Sequence, residues 1–350
     1  MLRTKCNQLG PLKKNTERDS LRTDGLLTYE FLFRAVRLFV PSMLYRRGEK
    51  GVKFARYSSS SKGELYKLDP NFVTGLTEAE GSFSIIKCRD ARAKFGMTIM
   101  LRFKITMLVN EIALLKDVKA FFGVGSIDID EKRGAVDYIV RDKISLDVIK
   151  KHFIKYPLRG TKFLDFDDFV QALELMEENL HRSEEGVKLL VSLSEGMNSL
   201  RKDYRKMPPI HIIKGNSEFI PLDGNYINGL IAGDGCLYLR TKSNFGSMGI
   251  QISQHVNNSS LLREIMDYFQ SGLNVFSQGK GKKSVQIGGK KIWKKIIYPH
   301  FLNYPMQGSK TLRLKKMLAI AKIIESGEHL KRVGKTVCFK PEYKEIILKI

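Results

Sequence analysis

The sequence predicts an α+β fold of two pseudo-twofold-related αββαββα repeats with antiparallel sheets, and three observations carry that expectation. Three blocks of residues recur in the same order roughly 150 positions apart, a period that marks a duplicated domain and not a solenoid unit. Within each copy the apolar residues switch between helical and period-2 spacing, which gives helices and half-buried strands in turn. The strands follow one another through short turn-forming stretches, as antiparallel pairs do.

The first block, Val73-Thr-Gly-Leu-Thr-Glu-Ala-Glu-Gly-Ser-Phe83, returns as Ile227-Asn-Gly-Leu-Ile-Ala-Gly-Asp-Gly-Cys-Leu237, an offset of 154. It reads as a short helix. Gly75 and Ala79 are four apart, as are Gly229 and Gly233, so each helix carries a small-residue stripe along one face. Two such stripes let helix backbones approach closely, a packing best known from membrane helices, and would set Glu80 beside Asp234. Gly81 and Gly235 are then expected to end the helices in the left-handed conformation.

Two strands follow in each copy. Phe83 and Ile85 alternate with Ser84 and Ile86, and Leu101, Phe103 and Ile105 with Arg102, Lys104 and Thr106, so one sheet face is core and the other polar and basic. The second copy agrees: Leu237, Leu239, Ile250 and Ile252 point inward, while Tyr238, Arg240, Lys242, Gln251 and Ser253 point outward. Asn244 and Gly246 supply the turn between its strands. The second block pairs Leu114-Leu115 through Phe121-Phe122 with Leu261-Leu262 through Tyr268-Phe269, offset 147. The third matches His152-Phe-Ile-Lys-Tyr-Pro-Leu-Arg-Gly-Thr-Lys162 to His300-Phe-Leu-Asn-Tyr-Pro-Met-Gln-Gly-Ser-Lys310, offset 148. The expected organisation is an extension over 1–66, one repeat over 67–200, a linker over 201–222 broken by Met207-Pro-Pro209 and Pro221, the second repeat over 223–330 and a C-terminal extension over 331–350.

Composition narrows the partner. The 350 residues carry a net charge of +23, from 60 Lys and Arg against 37 Asp and Glu, which implies a polyanion, with nucleic acid first. A membrane surface is disfavoured because the cations are spread along the whole chain. The apolar stretch Phe31 to Tyr45 is interrupted by Arg34 and Arg37, well short of the ~20 residues a span needs. Cys6, Cys88, Cys236 and Cys338 form no CxxC pair and read as free thiols, and the six histidines are scattered core or surface residues. Residues 1–66 are basic and Ser-rich, yet Glu17, Asp19, Asp24 and Glu30 spoil the acid-poor pattern of a transit peptide, so an exon-derived extension fits equally. Gly279-Lys-Gly-Lys-Lys-Ser284 lacks the spacing of a phosphate loop and reads as a basic hairpin tip for DNA phosphates.

Two acids at helix C-termini face the negative end of the macrodipole and repel one another, so the pairing of Glu80 with Asp234 calls for cations. Mg²⁺, held by one or two carboxylates and substrate phosphate oxygens, is the usual arrangement for phosphodiester chemistry. The paired blocks at 73–81 and 227–235, each followed later by Tyr-Pro-x-x-Gly-x-Lys, resemble the LAGLIDADG motif of homing endonucleases, in the two-motif, organelle-intron branch, over about residues 68 to 330. The resemblance implies sheets forming a saddle along the DNA major groove, a monomer, a mitochondrial location, and metal-dependent cutting of both strands of a long site across the minor groove to leave short 3′ overhangs. It implies metal ligation by Glu80 and Asp234, one serving each strand, with the main-chain carbonyls of Ala79 and Gly233. Lys162 and Lys310 fall where the family's basic active-site residue lies, and Lys104 and Gln251 where polar residues order water. DNA contact would fall to Ser84, Ile86, Cys88, Arg102, Tyr238, Arg240, Lys242 and Ser253, with exposed Ile, Cys and Tyr among cations suited to base edges. Ala232 stands opposite Glu78 at a motif position expected to be peripheral, and Asp234 is one methylene shorter than Glu80, so the half-sites differ. An RNA maturase assisting the host intron, or a DNA binder without catalysis, are the competing readings.

Overall fold

A computed structural model describes residues 68–202, 220–240, 247–270, 275–277, 279, 281–333, 336–341 and 343. The expected extension 1–66, most of the linker, the turn with Asn244 and Gly246, and Lys242 lie outside the described residues.

Each repeat opens on its motif helix, α1 (Pro70–Glu80) in the first and α6 (Gly224–Asp234) in the second. Asp69 and Asp223 cap them by accepting from Asn71 N and Asn225 N, at 2.8 and 2.7 Å. Pro70 at the first turn of α1 fixes a helical φ where no N–H is needed. In the first repeat β1 (Gly81–Arg89), β2 (Met97–Leu108), α2 (Ile112–Phe122), β3 (Ser126–Asp130) and β4 (Ala135–Val140) follow, then α3 (Lys143–Lys155), α4 (Lys162–Glu177) and α5 (Glu184–Glu195). The second repeat runs β5 (Gly235–Arg240), β6 (Ser247–His255), α7 (Ser259–Tyr268), β7 (Phe276–Ser277) and β8 (Lys282–Gly288). It then takes α8 (Lys290–Ile292), which passes through a π turn (Trp293–Ile297) into α9 (Tyr298–Asn303), and α10 (Lys310–Ser326). The sheets have matching antiparallel orders, β1-β2-β4-β3 and β5-β6-β8-β7. A hairpin of β9 (Leu330–Val333) and β10 (Thr336–Phe339) follows, its entry fixed by His329 against the Phe339 ring.

The expected seam exists. Gly75 and Gly229 let the two motif helices touch backbone to backbone: a Cβ on Gly75 would lie 1.9 Å from Tyr226 O, and one on Gly229 2.1 Å from Phe72 O. Gly233 similarly faces the Ala79 methyl, 2.4 Å from where its own Cβ would be. Gly81 and Gly235 differ from expectation. Their φ values are −77° and −82°, so neither is left-handed. Space, not dihedral freedom, selects glycine there, since a Cβ would stand 2.4 Å from Thr77 Cγ2 at Gly81 and 2.5 Å from Ile231 Cα at Gly235.

Alternation in the strands is as the sequence implies. Phe83, Phe103, Ile105, Ile250 and Ile252 are fully buried, and Phe83 meets Phe153, Phe166 and Phe169 of α3 and α4 with ring centroids 5.3 to 5.4 Å apart. The repeated histidines are core residues that pin α3 and α9 to the motif helices: His152 Nε2 lies 3.1 Å from Thr74 Oγ1, and His300 Nε2 2.9 Å from Asn228 Oδ1. Burial pushes His152 down to about 3 and His300 down to about 4, from the ordinary 6.5. Both are therefore neutral when folded, and below pH 6.5 the unfolded chain takes up protons the folded one refuses. A His300→Gln variant should flatten the acid arm of the stability curve by about 1 kcal/mol per pH unit between pH 6 and 4.5. Urea unfolding at several pH values checks this, and an unchanged slope would show that His300 is not held neutral.

Candidate active site at the paired helix ends

The seam brings the last residues of α1 and α6 together. Glu80 lies over the partner helix, its Cγ 2.8 Å from where a Cβ of Gly233 would be. Its carboxyl pKa is raised, first by burial and then by the charge of Asp234, while Lys162 and Lys310 oppose the shift. Asp234 is exposed to solvent at the end of its helix; crowding by nearby protein atoms nevertheless raises its pKa, against Lys162, a hydrogen bond from Gln254, and Lys310. Two carboxylates meet beside two lysines.

The lysines sit where the sequence placed them, but their partners could not have been read from it. Lys310 Nζ donates to three carbonyls of the second motif segment, Ile231 O at 2.7 Å, Gly233 O at 2.9 Å and Gly235 O at 2.7 Å. All three of its protons are so engaged. Lys162 Nζ donates to Gly81 O on the other side. Each ammonium thus neutralises the negative end of a motif helix where an acid also sits. Burial lowers both lysine pKa values, and the nearby carboxylates oppose that.

Each lysine is held in place across the repeat boundary. Glu111, after β2, accepts from Ser309 N at 3.0 Å and from the Ser309 hydroxyl, just before Lys310. Asn258, at the matching place after β6, accepts from Thr161 N at 2.7 Å, just before Lys162. Glu78, expected to be peripheral, is buried: its Oε2 accepts from Arg159 N, Gly160 N and Tyr226 Oη, each at 3.0 Å. The position is therefore not peripheral: Glu78 faces inward and anchors the loop before Lys162. Arg159 extends this anchor to Glu264 at 2.7 Å and to Ile220 O and Pro221 O at 2.9 Å. Sequence reasoning missed Glu111, Asn258 and Gln254. A usable clue existed at Gln254, a polar residue on the core-facing parity of β6 where the first repeat has Met107.

The remaining candidates lie on the outward sheet faces. Ser84 pairs with Arg102, Ile86 with Met100 and Cys88 with Thr98. Lys104 opposes Ser82 and forms an ion pair with Asp137 at 3.5 Å, while Gln251, in the matching register, stands between Cys236 and Gln286. Ser253 meets Ser284, with hydroxyls 2.7 Å apart. Tyr238 departs from expectation: it is on the outward face but 7% exposed, because it lies flat over facing Gly249 and Gly288. Gln286 Nε2 donates to its hydroxyl at 2.8 Å, and the Arg240 guanidinium stacks 4.6 Å above its ring. Tyr238 therefore orients Arg240 instead of presenting an exposed ring. At the basic hairpin tip Gly279 and Gly281 both have positive φ, and the adjacent Lys282 is close enough to oppose the rise of the Asp234 pKa.

The model of the LAGLIDADG endonuclease family matches residues 73–173 and 227–321, spanning both motif helices, both sheets and both lysines. The chain belongs to the LAGLIDADG endonuclease family. It is 30% identical over 285 residues to probable intron-encoded endonuclease 2 of Neurospora crassa, across 76% of this chain and 63% of the relative. With probable intron-encoded endonuclease 3 of the same fungus it shares 27% over 270 residues, across 74% of this chain and 50% of the relative. The chain thus spans about half to two thirds of the length of these relatives. Among solved structures, I-SmaMI bound to an uncleaved DNA target in the presence of calcium ions aligns with a TM-score of 0.68 at 26% identity, covering 81% of this chain and 97% of that one. I-GzeII in complex with a DNA target gives a TM-score of 0.66 at 26% identity, with the same coverage. The LAGLIDADG architecture of two motif helices and two antiparallel sheets is therefore the fold of this chain.

Proposed function

We propose that this chain is a monomeric, site-specific homing endonuclease that hydrolyses both strands of a long duplex target with Mg²⁺ and promotes mobility of the intron encoding it, in the mitochondrion. The meeting of Glu80 and Asp234 at the packed ends of α1 and α6 carries this reading. Twofold-related acids suit two antiparallel strands, and a chain containing its own symmetry partner needs no second copy. Relatives named as intron-encoded endonucleases and neighbours solved on DNA support it.

The donor set fits a hard divalent cation. Among the described residues no three His, Cys, Asp or Glu side chains gather into a metal site, so two carboxylates, backbone carbonyls of Ala79 and Gly233, and phosphate oxygens would complete the ligands. Gly233 O would share its lone pairs between the ion and Lys310. When bound, Mg²⁺ would lower the pKa of water and stabilise the leaving oxygen. The chain's residues do the rest: Glu80 and Asp234 fix where charge is concentrated, and Lys162 and Lys310 supply positive potential towards the phosphate while keeping the helix ends in place. Arg240, set by Tyr238, is suited to a guanine edge in the major groove.

Purified protein incubated with a plasmid carrying the uninterrupted insertion site, with Mg²⁺ or with EDTA, tests this. Linear product only with Mg²⁺ is expected. Tight binding to intron RNA without cutting would favour the maturase, and specific retention of DNA without cutting a non-catalytic binder.

A further inference from the structure

Glu80 and Asp234 occupy one end of the helix seam, and the other end carries a separate feature. The first turn of α1 lies roughly 14 Å from Glu80 along the helix axis, at a rise of about 1.5 Å per residue. There a cavity of about 420 Å³ is lined by Asn71 of α1, Lys155 at the end of α3, Tyr156, Pro157, Pro221 and the α6 cap Asp223, a size usual for small-ligand sites. Tyr156 and the two prolines give it flat apolar walls. Its polar groups have capacity to spare. Among the described residues the Asn71 amide has no hydrogen bond, Lys155 no ion pair, and Asp223 uses only Oδ1, to cap α6. Arg159, also in the wall, is committed to Glu264, Ile220 O and Pro221 O, so Lys155 is the cation left for a ligand. In the second repeat, 148 positions on, Lys155 and Arg159 are matched by Asn303 and Gln307, so both cations depart from the duplicated pattern. Tyr304 there packs on Gly224, its Cδ2 2.3 Å from where a Cβ would stand. Pro70 holds that place in the first repeat, and Tyr156 lines the cavity instead.

We propose that this cavity binds an adenine nucleotide, at a site separate from the paired acids and independent of the nuclease reading. The base lies against Tyr156 and Pro221, its exocyclic amino group donates to the open Asp223 oxygen, a ring nitrogen accepts from the Asn71 amide, and Lys155 holds the phosphate. A bare phosphate has no use for the apolar walls, and a lipid headgroup none for the amide beside a carboxylate. Uracil has no amino group to offer Asp223. The same chemistry is presented by a free mononucleotide and by an unstacked adenylate in an RNA strand.

Calorimetric titration of the full chain tests this, with adenosine monophosphate (AMP), adenosine, uridine monophosphate (UMP), inorganic phosphate and a short oligoadenylate RNA as probes. EDTA in the buffer prevents metal-bridged binding at Glu80 and Asp234. AMP should bind one to one and about tenfold tighter than UMP, with inorganic phosphate weaker still. Lys155→Asn, which installs the second repeat's residue at an exposed position, should weaken AMP by about 10-fold or more and leave adenosine unchanged. Asn71→Ala should weaken AMP and adenosine alike, by about 5-fold or more. A folding defect would not separate AMP from adenosine in this way. Oligoadenylate that displaces AMP assigns the site to a strand, and AMP that oligoadenylate cannot displace assigns it to the free nucleotide; either upholds the site. Absence of AMP binding at millimolar concentration, equal affinity for AMP and UMP or for AMP and phosphate, or equal loss of AMP and adenosine in Lys155→Asn would overturn it.

Discussion

Replacing Glu80 by Gln, or Asp234 by Asn, is expected to lower the rate of double-strand cutting by roughly a thousandfold or more while making the folded chain more stable. On the proposed reading, the loss follows from removing a carboxylate charge that would hold the metal. The stability gain follows from the pKa directions. Both carboxyls are raised in the folded protein, chiefly by burial, with Asp234 adding to Glu80. A group whose folded pKa is raised binds its proton more readily folded than unfolded, so the fold gains stability as pH falls towards the ordinary carboxylate range and loses it as pH rises through the raised value. At pH 7.5 without divalent cations the ionised pair therefore strains the seam, and a neutral amide relieves part of it. Each kcal/mol relieved should appear as roughly 2–4 °C in the melting temperature. Added Mg²⁺ should raise the melting temperature of wild type through mass action but not that of the double variant. Gel-shift affinity for the target in EDTA should stay within about threefold, since the proposed phosphate and base contacts lie elsewhere. Variants that melt lower and lose DNA binding together would assign these acids a structural role instead.

Much of this site was legible in the sequence, because duplication converts weak local patterns into strong ones. The small-residue stripe, the two acids and the two lysines all emerged from comparing blocks 154 and 148 positions apart. What stayed hidden depends on partners distant in sequence. Glu78 looked peripheral because its partners, Arg159 and Gly160, come 81 and 82 residues later. Gly81 and Gly235 were expected to need a left-handed backbone, since spacing alone does not separate a demand for dihedral freedom from a demand for room; Thr77 and Ile231 impose the second. Tyr238 was correctly placed on the outward face, but its concealment needs the register that sets Gly249 against Gly288 across two strands. The repeats also exchange supports, Glu111 to Ser309 and Asn258 to Thr161, and reading each copy as self-contained could not reveal that.

Gly229→Val is expected to separate the repeats. A Cβ at this position meets Phe72 O at 2.1 Å and Leu76 N at 2.6 Å, both backbone atoms of the facing helix that no rotamer change can clear. The helices must move apart, and the two branched methyls of valine widen the gap further. Overpacking of this kind ordinarily costs about 1–3 kcal/mol, but here it also opens the cross-repeat hydrogen bonds of Glu78, Glu111 and Asn258, so about 4 kcal/mol or more is expected. Each repeat keeps its own sheet and helices, so the loss should appear as cooperativity broken into two unfolding transitions, with cutting abolished because Glu80 no longer meets Asp234. Gly75→Ala should act in the same direction, since its Cβ would meet Tyr226 O at 1.9 Å. Gly123→Ala is the control: that residue ends α2 at φ 72° with nothing within 4 Å of a Cβ, so it should cost only the left-handed strain of about 1 kcal/mol and leave one transition and full cutting. Calorimetric unfolding of the three variants distinguishes them, and a Gly229→Val protein that unfolds in one step near the wild-type temperature would mean that the two motif helices do not touch as described.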